Sequence, residues 1–160
     1  MMAQLMQPGF ITTLCAHEAV HLIYFTLAGT TEYDALPPTL TFDAAKDDYT
    51  GHLAAIKLGD LSPWTPGNFR EWFSLIARAH AAPGLVARKL LPSSDGGDSG
   101  DKDRFRALCD KINKADPNTK IDFDWWWNHG LEAAAEDLEN PDAMKQILEV
   151  AEKLQKEFGL

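Results

Sequence analysis

The run from Ile11 to Gly29, ITTLCAHEAVHLIYFTLAG, is apolar around nearly its whole circumference, yet carries His17, Glu18 and His21 at its centre. An apolar segment of this length has to be covered by the rest of the chain if the protein is to stay in water. The three polar residues are therefore expected inside, where an uncompensated carboxylate is costly. Their order is H-E-x-x-H. On a helix, residues four apart lie one above the other on one face, so both imidazoles can converge on a single cation at about 2.0–2.1 Å, the Zn–N distance. Glu18 follows about 100° around the axis. From there it can reach a water on the metal without becoming a ligand, which is the arrangement a metal-assisted hydrolysis needs.

Composition limits what can surround this run. A chain of 160 residues, 45% hydrophobic, can build one domain with a real core. A formal net charge of −9 argues against nucleic acid or an anionic membrane as partner. The two cysteines, Cys15 and Cys109, make no disulfide framework and read as core thiols in a reducing compartment. The apolar run has no basic residue before it and is interrupted by His-Glu and His, so neither a signal peptide nor a membrane span is expected. A cytoplasmic protein is the expectation.

Beyond Gly29, a helix stop by residue type, Thr30 to Pro38 reads as an irregular connection. Thr39 to Phe42 and Tyr49 to Leu58 read as two strands of a hairpin around the polar DAAKDD turn. Thr65 and Pro66 then signal a helix start, with Phe69, Trp72, Phe73, Ile76 and His80 along one face. Pro83-Gly84 is expected to break or kink it, leaving Leu85 to Leu91 as a second short helix. After the loop PSSDGGDSGD, a helix from Asp101 to Asn113 turns Phe105, Leu108 and Ile112 inward. Asp101 starts it on that inward side, while Asp103 and Asp110 point away. Two further helices are expected, Asp124 to Leu138 and a last one after Asn140-Pro141 running to Phe158. Trp126 and Trp127 face the core, Trp125 projects to the opposite face, where it suits a partner surface or a dimer contact, and His129 reads as a surface residue.

An inward acid at a helix start is explained by the helix dipole alone. It is also what a catalytic zinc uses beside two histidines, with a fourth position left open. At this point the order of motifs resembles the peptidase domain of the FtsH family, zinc proteases attached to AAA+ ATPases. The resemblance rests on AHEAVH, a strand with YTGHL, the helix FREWFSLIARAHAAPGLVARKLL, and GDSGD opening another helix; it covers about residues 10 to 113 and concerns the peptidase part without the ATPase module. Val20 departs from the family's glycine, Arg88-Lys89 from an acidic pair, and Gly100 from an asparagine. The resemblance implies His17, His21 and Asp101 as ligands of one zinc per chain and Glu18 as general base. It also implies that the strand Tyr49, Thr50, Gly51, His52 and Leu53 is the edge on which an extended substrate pairs.

His80, His52 and Glu32 stay open as other ligands, and His52 also as an oxyanion donor; Asp95 and Asp98 read as solvated loop acids. The expected protein is a single α+β domain over residues 1–160. It is mostly helical with a small sheet or hairpin, a zincin-like core at 10–113 and a helical extension at 121–160. The expected activity is zinc-dependent hydrolysis of peptides or unfolded segments. The alternative is a non-catalytic peptidase-like module that binds a protein through its edge strand or aromatic surface.

Overall fold

In the computed structural model of the chain, the cover that the first apolar run demands is supplied by other helices. The structure describes residues 9–28, 39–43, 48–52, 69–93, 99–116, 118, 120–157 and 159. Among the described residues there are five helices: α1 (Phe10–Leu27), α2 (Phe69–Leu90), α3 (Ser99–Ala115), α4 (Phe123–Asp137) and α5 (Pro141–Glu157). Helix α1 packs on α2 and α5, α2 also packs on α4, and α3 lies against α2 and α4.

The α+β expectation is overturned. Among the described residues the cluster of buried apolar side chains comes from the helices, their C-terminal ends at Ala28 and Leu138, and Ile121, and the fold is all-helical. The segments β1 (Thr39–Asp43) and β2 (Asp48–His52) pair antiparallel, Thr39 opposite His52 and Phe42 opposite Tyr49, as a two-stranded ribbon whose β2 meets α1. The reason is in the spacing: Phe69, Trp72, Phe73, Ile76, Phe105, Leu108 and Ile112 repeat every three or four residues and bury one helical stripe after another. A two-stranded ribbon is marginal without such a stripe against it. Leu53, Gly29, Thr65 and Pro66 lie outside the described residues.

A second correction concerns Pro83. Helix α2 runs through it to Leu90 as one element of 22 residues. Proline inside a helix removes one hydrogen bond and costs about 3 kcal/mol. Residues Ala79 to Gly84, with Val86 and Ala87, are all buried, so the packing of α2 on its neighbours outweighs that cost.

Local chemistry sets the remaining ends. Gly9, with φ 85°, turns the chain into α1 in a conformation that favours glycine. Asn113 closes the α3–α4 connection with both ends of its amide. Its Nδ2 donates to the Ile121 carbonyl at 3.0 Å, and its Oδ1 accepts from the Ile121 N–H at 2.7 Å. The Asp122 carboxylate then caps α4, accepting from the N–H of Asp124. Across the bundle, Asp137 Oδ2 accepts from Tyr24 Oη at 2.7 Å and from Arg78 Nη1 at 2.8 Å, tying α1, α2 and α4 together. The C-terminal helices are thus part of the same core as the first ones: Trp126, Trp127 and Ala134 of α4 and Ile147, Ala151 and Leu154 of α5 are buried in it.

Helices α2 and α4 come close together at Gly130. A Cβ there would stand 2.7 Å from the Ala77 carbonyl oxygen and 2.9 Å from its carbon. Gly→Ala in a helix ordinarily stabilises by about 1 kcal/mol. Here Gly130→Ala is expected to destabilise by about 1–3 kcal/mol, because α2 and α4 must move apart. Urea unfolding measures it, and an unchanged or raised midpoint would show that the helices do not meet there.

Candidate metal centre

Among the described residues the buried polar or charged side chains are Thr13, Glu18, His21, His80 and Asp101, and four of these five gather in one place. Helix α1 brings His17 and His21 to one face, one turn apart, with ring centroids at 5.1 Å. The first turn of α3 then sets Asp101 against both. His17 Nε2 lies 3.2 Å from Asp101 Oδ2, and His21 Nε2 lies 3.2 Å from Oδ1. The three ligand atoms lie within 4.8 Å of one another. Despite the short distance to His17, Asp101 Oδ2 is a buried oxygen without a properly aligned hydrogen bond, and His21 Nδ1 is a buried nitrogen in the same condition. A buried carboxylate oxygen without a partner, set between two imidazoles, is an atom that a bound cation would satisfy. Two imidazoles and a carboxylate are a donor set that suits zinc.

The electrostatics keep the acid ionised. Burial alone would raise the Asp101 pKa, but the imidazoles of His17 and His21 outweigh it and hold the carboxyl well below its ordinary range. For His21, burial opposes protonation, and the bond and charge of Asp101, with the charge of Glu18, overcome it, so its pKa is raised. Glu18 is therefore electrostatically close to the centre, and it is itself buried.

His80 is the fourth polar residue at this place. Its Nδ1 lies 2.8 Å from the Ile76 carbonyl, and its ring packs at 5.3 Å from both Phe25 and Phe105. It stands outside the group of converging ligand atoms. Burial, and secondarily the charge of His21, push its pKa down to about 4. Glu32, Asp95 and Asp98 lie outside the described residues, and of His52 the structure gives the backbone in β2. Both thiols are inert: burial, aided by Glu18, lifts Cys15 to about 11, and burial, aided by Asp110, lifts Cys109 to about 12.

One participant escaped the sequence reading. Arg104 Nη1 reaches Asp101 Oδ1 at 3.3 Å, an i,i+3 pair on α3 that the spacing alone could have signalled. His129 is a correction: it is half-buried, with Nε2 2.8 Å from Ser74 Oγ and its ring stacked on Trp125 at an interplanar angle of 4°. Trp125 itself is 49% exposed, beside a shallow surface pocket of about 340 Å3. No helix among the described residues is long and apolar enough to cross a membrane.

Comparison with protein-family models, curated proteins and solved structures finds no match to this chain.

The neutral burial of His80 sets a pH dependence. In the unfolded chain it takes a proton near pH 6.5, in the folded one only near 4, so between these values the unfolded state binds more protons. Its contribution is complete above pH 6.5 and declines by up to about 1.4 kcal/mol per pH unit as pH falls toward 4. His80→Phe should flatten that part of the stability profile, measured by urea unfolding in chelator; an unaltered slope would assign the acid sensitivity elsewhere.

Proposed function

We propose that the protein is a zinc-dependent peptidase acting on peptides or unfolded protein segments. The observation that carries this reading is the convergence of His17, His21 and Asp101 beside a buried Glu18. A closed structural zinc site ordinarily uses four ligands, often thiolates, whereas three nitrogen and oxygen ligands leave a position for a reactant. Glu18 adds a carboxylate next in sequence to one ligand, and such a group is of no use to a merely structural ion.

His17 Nε2, His21 Nε2 and Asp101 would hold the ion. When bound, zinc supplies Lewis acidity to the carbonyl under attack and to the attacking water. Glu18 accepts the proton that the water gives up as its oxygen bonds to the carbonyl carbon. It then delivers that proton to the nitrogen as the C–N bond breaks. The low dielectric around Glu18 strengthens its interaction with the developing charge. The resemblance to the FtsH peptidase part supports the same roles for these four residues. It also suggests the strand around Tyr49 to His52 as the place where an extended substrate pairs, through backbone hydrogen bonds and with little selectivity for side chains.

Two measurements test the reading. Protein purified without added zinc is expected to carry about one zinc per chain, sharply reduced in Asp101→Ala. Wild type without zinc even after supplementation would overturn the metal centre. Glu18→Gln should retain zinc and lose about 10²–10⁴-fold in the chelator-sensitive hydrolysis of casein. Undiminished turnover would remove Glu18 from the chemistry.

A further inference from the structure

The two oxygens of Asp101 are not equivalent. Oδ1 is engaged twice, at 3.2 Å from His21 Nε2 and at 3.3 Å from Arg104 Nη1. Oδ2 is buried, faces His17 Nε2 at 3.2 Å and has no aligned hydrogen bond. The difference arises in α3: Arg104 sits one turn after Asp101, so its guanidinium folds back over the carboxylate from the solvent side. Asp101 is almost wholly enclosed, while the Arg104 side chain is 63% exposed.

We infer that Arg104 is a positioning residue: by holding Asp101 Oδ1 it turns the carboxylate so that Oδ2 alone is offered to the metal. The inference rests on the zinc reading and deepens it. A carboxylate free to rotate can ligate through both oxygens, which adds a bond to the ion and fills the position that a reactant needs. A guanidinium on one oxygen prevents this, because its planar N–H groups and positive charge compete for that oxygen. Outer partners of ligating carboxylates commonly matter about 10–100-fold in metal affinity. Arg104 is suited to the task without being needed for the fold, since most of its side chain is in water and its partner in this structure is Asp101.

The test compares wild type, Arg104→Ala and Arg104→Lys, each stripped with chelator. Each is then titrated with zinc against a chromophoric competitor, and separately loaded with Co2+ for visible absorption. Arg104→Ala is expected to bind zinc about 10–100-fold more weakly. Its Co2+ bands should lose intensity, the signature of a change from four to five ligands. Arg104→Lys, which restores one N–H donor and the charge, should recover part of both. Equal thermal midpoints of the three metal-free proteins will show that the change is not one of folding. Arg104→Ala with wild-type zinc affinity and an unchanged Co2+ spectrum would overturn the positioning role while leaving the zinc centre intact. Wild type that takes up neither metal would overturn both.

Discussion

Covering α1 forces Glu18 and His21 out of water, and the carboxylate that α3 sets against His21 at Asp101 makes the burial of that imidazole tolerable. A lone ionised group in such a place costs several kcal/mol, on the order of 3–5 when one partner of a buried pair is taken away. The two imidazoles and the carboxylate answer this cost among themselves, and the helices are set so that they meet. Helix α1 must be long enough to reach α3 and apolar enough to pack on both α2 and α5.

The aromatic cluster holds this meeting point in place. Phe73 stacks on Phe69 at 5.2 Å, packs against Phe105 at 5.5 Å, and is met edge-on by Trp126 at 4.8 Å. Phe105 lies one turn after Asp101, so the contact that seats α3 also seats the carboxylate. His80 joins the two: its ring touches both Phe25 of α1 and Phe105 of α3. Burial pushes the pKa of this imidazole down to about 4, so it joins the two helices without adding charge. Rigid, well-packed support is what a metal ligand needs, because small errors in its placement weaken the site.

Much of the arrangement could be read before any coordinates. The H-E-x-x-H spacing placed two imidazoles on one face, the stripe through Phe105, Leu108 and Ile112 turned Asp101 inward, and Asn140-Pro141 marked the start of the last helix. These are local signals, carried by residues three or four apart. The α+β class failed because it was drawn from alternation in a short segment, whereas class is decided by which elements supply the core. The break at Pro83, with a separate helix after it, failed for a related reason: the local preference is real, but the burial of the residues around it outweighs it.

By itself, then, the sequence determined the helical periods, the polar trio within an apolar helix, and an acid on the inner side of a later one. Local geometry and solubility suffice for these. Only the tertiary structure decided that Asp101 stands 3.2 Å from both imidazoles, that His80 lies beneath them outside the converging ligand atoms, and that Arg104 takes one oxygen of the acid. Residues 80 positions apart carry no local signal of their mutual distance. That distance follows from how whole helices pack, a collective outcome of buried area and shape that no single stretch of the chain contains.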